Sequence, residues 1–174
     1  KLGLDPDEGN PREGEEEELE DDSNYDKSVV FVFNSKSLDA KPGKGSNETI
    51  PKDRISEFLT LSKNKNWRRK LDDVWMEAPF TVDKKRWTSV EHYIQASKFK
   101  KGFPDFYSQF SIDNPSDLSR DPELAGKVGD VTKTKHKELR PSGVKIDSDY
   151  FLGREMVERE EALRAKFSEN EDLK

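Results

Sequence analysis

Glu91, Gln95 and Lys98 are the residues of this chain best suited, by type and spacing, to do chemistry. They fall at i, i+4 and i+7 within residues 87–99, so one stripe of a helix with 3.6 residues per turn carries an acid, an amide and an amine. An acid can shuttle a proton, an amide can hold either neighbour, and an amine deprived of its proton can attack a carbonyl carbon. Val90, Tyr93 and Ile94 form an adjoining apolar patch, so the helix packs on one side and aims its polar groups elsewhere. A structural rival exists for Glu91. Thr88-x-x-Glu91 has the spacing of a capping box, in which the glutamate only reaches back to the helix N-terminus. The cap does not account for Gln95 and Lys98 on the same stripe. At i+7, Glu91 and Lys98 are also too distant for the helix-surface ion pair formed at i+3 or i+4, so their meeting needs a third group or a common ligand.

Other residues compete for a role in the site. Trp75, Trp87, Tyr93 and Phe99 crowd the same region, and Trp67, Trp75 and Trp87 read as core or rim residues, one of which could serve as a platform on which a nucleobase stacks. Gly43, Lys44 and Gly45 lie in a loop that loosely resembles a phosphate cradle. The loop lacks the spacing of a true P-loop and reads equally as a flexible turn. The basic group Lys127, Lys133, Lys135, Lys137 and Arg140 suits phosphates or a solvated surface. His92 and His136 are too few and too scattered for zinc, so no metal and no cofactor are expected.

The elements that must position these residues follow from the pattern. Residues 29–33 predict a short buried strand, and 53–61 a short helix. Residues 78–82 and 85–87 flank Asp83-Lys84 as a hairpin leading into the Glu91 helix. Residues 103–112 and 115–126 predict two more helices, each with proline near its start. A last helix spans 154–167, with Met156, Val157, Leu163 and Phe167 as core contacts. Few strands among several helices predict an α+β fold, a compact, mostly helical single domain.

Composition divides the chain. Of 174 residues, 30% are hydrophobic and 39% charged, but residues 1–27 hold twelve acids against three bases and the remainder is close to +3. We therefore read residues 1–27 as an acidic disordered tail and 28–174 as the domain. Cysteine is absent, which excludes disulfides and thiol chemistry. No membrane span or signal peptide is evident, and we expect an intracellular (cytoplasmic or nuclear) monomer.

The spaced residues Trp87-x-Ser89-Val90-Glu91-His92-Tyr93-x-Gln95-Ala96-x-Lys98-Phe99 resemble the signature of the NADAR family, N-glycosidase domains linked to NAD and ADP-ribose metabolism. Phe33-x-Ser35-Lys36-Ser37 with Pro42-Gly43-Lys44-Gly45, and Trp75-x-Glu77-Ala78-Pro79-Phe80, are similar to its larger branch. Residues 162–167 and 170–173 resemble a later helix motif of the family. The resemblance implies a largely helical α+β fold that removes ADP-ribose from guanine in nucleic acid or free nucleotides, or cleaves a riboflavin-pathway ribosylamine phosphate. By position it makes Glu91 the catalytic carboxylate, with Lys98 or Lys36 as a second catalytic group. Gln95, Trp75, Trp87, Tyr93, Gly43, Lys44, Gly45 and Arg140 would bind substrate. A binding module that holds ADP-ribose without cleaving it is the rival from another class. The chain departs from the family at Asp72-Asp73-Val74, where Ser-Asn-Phe is common and where a carboxylate repels a pyrophosphate or alters substrate choice. The resemblance also implies a further C-terminal segment, so we expect the chain to be a fragment.

Overall fold

The hairpin is fixed by its turn. Asp83 and Lys84 both take left-handed backbone, φ 54° and 58°, the pairing that matches strand twist across a two-residue loop. Neither is glycine, so the turn is held from outside: Asp83 accepts from the Tyr107 hydroxyl at 2.7 Å and pairs with Lys100 at 2.5 Å. It joins β1 (Phe80–Val82) to β2 (Lys85–Trp87) in antiparallel register, Phe80 opposite Trp87. Phe80, Val82 and Trp87 face inward, and the Trp87 indole N–H donates to the Val82 carbonyl at 3.1 Å.

The structure, a computed structural model, describes residues 26–131 and 139–174. The acidic tail, apart from its last two residues, and Lys133, Lys135, His136 and Lys137 lie outside the described residues.

Helix α1 (Trp67–Lys70) precedes the hairpin, and α2 (Val90–Ser97) follows it directly. Val90, His92, Tyr93, Ala96 and Ser97 of α2 are buried, because the helix lies between two others. These are α5 (Pro122–Gly129) and α6 (Glu155–Glu169). The expected helices at 103–112 and 115–126 are present in shorter pieces. The first is α3 (Pro104–Ser108), and the second is broken at Asp121 into α4 (Asp117–Arg120) and α5. Asp121 ends one helix and caps the next, accepting from the Glu123 and Leu124 amides, with Pro122 at the first helical position. The core joins Phe80, Trp87, Tyr93, Phe99, Phe106 and Phe110 to Ala125, Val128 and Ala162. Edge-to-face contacts such as Phe99–Phe106 at 5.0 Å order its aromatic rings. Among the described residues no helix is long and apolar enough to cross a membrane.

Two expectations fail. Residues 29–33 form only an isolated bridge, Val30 to Thr49, because no neighbouring strand among the described residues completes a ladder. Val30, Val32 and Phe33 are exposed, Val29 is half-buried, and Phe31 packs against Phe58 and Trp67. A buried ion pair anchors this segment instead. Arg68 binds Glu48 and the carbonyls of Val32, Ala40 and Lys41.

The buried stripe of α6 is also not the apolar one. Met156 and Val157 are 73% and 68% exposed, whereas Glu158, Ala162 and Lys166 face the core. Leu163 and Phe167 are half-buried, with Leu163 packed on the core. Both charged residues of that stripe have polar partners: Glu158 Oε1 forms an ion pair with Arg154 at 3.2 Å, and the Lys166 amine donates to the Asp72 carbonyl at 2.9 Å, while Glu158 Oε2 is buried without a hydrogen bond.

Candidate active site

Ser89, not Thr88, caps α2. Its hydroxyl accepts from the His92 amide at 3.3 Å, while the Thr88 hydroxyl donates to the Ser119 carbonyl. The capping-box reading of Glu91 therefore falls. Its backbone N–H is satisfied by the Asp73 carbonyl at 2.9 Å, and its carboxylate has no part in the cap.

That carboxylate is the first member of a relay. Gln95 Nε2 donates to Glu91 Oε1 at 2.9 Å, and Lys98 Nζ donates to Gln95 Oε1 at 2.7 Å. An ammonium can only donate, so Lys98 fixes which end of the amide faces it and turns the Gln95 NH₂ toward Glu91. Gln95 is thus the third group that the i+7 spacing requires. Lys98 also donates to the Gly129 carbonyl at 2.8 Å, at the C-terminus of α5. Burial pushes the Glu91 carboxyl above the ordinary range. Asp73 raises it further, and the Gln95 hydrogen bond, Lys98 and Arg159 oppose the rise. Burial likewise lowers Lys98.

Glu91 lines a cleft of about 530 Å³ with Ser35, Val74, Pro122, Glu123, Gly126, Lys127 and Asp130, a volume in the ~300–1,000 Å³ range of small-molecule sites. The lining carries three carboxylates and one ammonium, and Lys127 is paired with Glu123 at 2.8 Å. Lys98 is 9% exposed and lies behind Gln95 rather than on the cleft wall. Lys36 is exposed and follows Ser35, which does line the cleft. Trp75 is half-buried beside Val74, with the Arg69 guanidinium 5.8 Å from its ring centre.

Several expected ligand contacts are otherwise engaged. Trp87 and Tyr93 are fully buried in the core, their rings 5.1 Å apart, and cannot touch a ligand. The Gly43 and Gly45 amides donate to Glu48 Oε2 at 2.9 and 3.1 Å, so the cradle already holds the protein's own carboxylate, and Lys44 stands beside an occupied nest. Arg140 donates to the Val128 and Asp130 carbonyls at 2.6 Å, which makes it a C-terminal cap for α5.

Sequence reasoning missed three contributors. Asp73, read as an obstacle to pyrophosphate, is paired with Arg159 at 2.5 Å and tunes Glu91. Gly126 and Gly129 present bare backbone to Glu91 and Gln95. Two glycines three apart in a helical pattern were the available signal.

No family model and no curated protein matches the chain. Among solved structures, the NMR structure of the E. coli protein YbiA is similar, at 22% identity and a TM-score of 0.41 over 61% of this chain and 51% of that one. The chain thus spans about half the length of that protein.

Proposed function

We propose that the chain is an N-glycosidase that hydrolyses a ribosyl N-glycosidic bond, with guanine-linked ADP-ribose, in nucleic acid or as free nucleotide, as its substrate. The observation that carries this reading is the Glu91 carboxyl, half-buried on the wall of a ligand-sized cleft with its pKa raised. Of the residues that resemble the NADAR signature, Glu91 is the one on that wall, and α5 supplies most of the rest. Protonated Glu91 gives its proton to the departing base nitrogen as the C1–N bond breaks and the electron pair stays on nitrogen. Water adds to C1, and the carboxylate takes the proton that water loses, restoring the acid. The positive charge that develops at C1 faces Glu91, Glu123 and Asp130, which stabilise it. The same carboxylates favour a pose in which the ligand's phosphates point away from this wall.

In this mechanism Gln95 and Lys98 are positioning residues. A Schiff base at Lys98 would first have to break both bonds of its amine, to Gln95 and to Gly129. Those bonds count against a covalent mechanism at Lys98, and the second reading is a module that binds ADP-ribose without cleaving it. Incubation with guanine-ADP-ribosylated DNA and RNA, followed by mass, separates the two. Release of ADP-ribose supports the glycosidase, and saturable binding without release supports the module. Borohydride should trap no adduct at Lys98; a trapped peptide containing it would replace the carboxylate mechanism with a covalent one.

A further inference from the structure

Helix α5 turns Gly126 and Gly129 toward α2, and both lie in helical backbone that any residue can adopt. Alanine is the better helix former at such positions, so what glycine supplies here is room. A Cβ at Gly126 would sit 3.1 Å from Glu91 Oε1, a contact that a small shift relieves. A Cβ at Gly129 would overlap Gln95 Oε1 and sit 2.8 Å from Gln95 Cδ, inside the space the amide fills. The Gly129 carbonyl also accepts from Lys98 at 2.8 Å. One residue thus both makes space for the amide and holds the amine that orients it.

We infer that Gly129 is a positioning residue of the site: its missing side chain is the space in which Gln95 bridges Glu91 to Lys98. The inference rests on the glycosidase reading only for its effect on turnover. A methyl group at Gly129 must either push the packed helices α2 and α5 apart or expel a flexible amide, and the side chain yields first. Gln95 then releases Glu91 and Lys98 together, while Lys98 keeps its bond to the backbone carbonyl.

The test follows the side chains directly. In the wild-type protein, the Gln95 side-chain NH₂ protons should exchange slowly with solvent. The Glu91 carboxyl, followed by carbon NMR, should titrate above the ordinary glutamate range. In Gly129→Ala, those protons should exchange as in a free glutamine. The Glu91 midpoint should move up to that of Gln95→Ala, because the Gln95 hydrogen bond is what holds it down. Wild-type exchange and midpoint in Gly129→Ala would overturn the inference, as would a midpoint that moves in Gly129→Ala but not in Gln95→Ala. If Gly129→Ala fails to fold, the double variant Gln95→Ala/Gly129→Ala, in which the overlap with the amide is gone and only a 3.1 Å contact between the two β-carbons needs a small shift, should fold and keep the Gln95→Ala midpoint. An unfolded double variant would show that Gly129 serves something other than Gln95. Absence of turnover in the wild type would defeat the glycosidase reading and leave these NMR outcomes as they are. If turnover is present, the alkaline limb of the pH–rate profile should move with the Glu91 midpoint.

Discussion

Gln95 makes a single unit of Glu91 and Lys98, because one amide answers an acid on one side and an ammonium on the other. In the proposed reaction the acid needs its proton to release the base. The rate should therefore fall as pH rises through the raised Glu91 pKa. In Gln95→Ala that fall should move to higher pH, since a bond favouring the charged carboxylate is lost; an unmoved limb would mean the relay does not set the pKa. His92 offers a separate titration. It is fully buried, its Nδ1 lies 2.7 Å from the Ser89 hydroxyl, and burial lowers its pKa to about 4 from an ordinary 6.5. Between those values the unfolded chain binds the extra proton. His92 alone should thus cost the folded protein about 3 kcal/mol as pH falls from 6.5 to 4, and this one group costs no more below that. His92→Gln should flatten this slope in urea denaturation followed across pH. A slope unchanged in that variant would assign the acid sensitivity to other groups.

The elements around the site differ in how well pattern announces them. The hairpin and α2 were legible because alternation, a two-residue turn and helical spacing agree, and because their apolar residues are the ones buried. The strand at 29–33 misled because β propensity without a partner strand yields only a bridge. In α6, long polar side chains that pattern assigns to solvent are buried, Glu158 against Arg154 and Lys166 on the Asp72 carbonyl, and Met156 and Val157 face outward. Within the site, helical spacing marked Glu91, Gln95 and Lys98 as a stripe. It was silent on burial, and so on the enclosure of Trp87 and Tyr93 in the core and on the place of Arg140 at the end of α5, off the wall of the Glu91 cleft. The segment over residues 28–50 depends on the Arg68–Glu48 pair, whose side chains are 2% and 0% exposed. Glu48→Leu should destabilise by ~3–5 kcal/mol, because the guanidinium is left buried without its anion. Urea denaturation measures this, and a loss under ~1 kcal/mol would mean that the segment is held by other contacts.

At the scale of the molecule, the cleft is walled chiefly by the loop at Val74, the start of α2, and α5. α6 braces that loop from behind through Arg159 on Asp73 and Lys166 on the Asp72 carbonyl. On its far side, Phe151, Leu152, Met156 and Val157 are exposed at 49%, 83%, 73% and 68%. Met156→Ser and Val157→Ser should each change stability by less than ~0.5 kcal/mol, because little burial is lost. A thermal melt showing a cost of ~2 kcal/mol or more would place those residues in a core after all. The central claim is that the Glu91 carboxyl is the group that breaks the glycosidic bond. Glu91→Gln keeps the side chain's size and the fold but removes its ability to donate and recover a proton. Single-turnover release of ADP-ribose from guanine-modified nucleic acid tests this most directly. The rate should be at least ~10²-fold lower in Glu91→Gln with ligand affinity nearly unchanged, and undiminished release from that variant would rule out Glu91 as the proton donor.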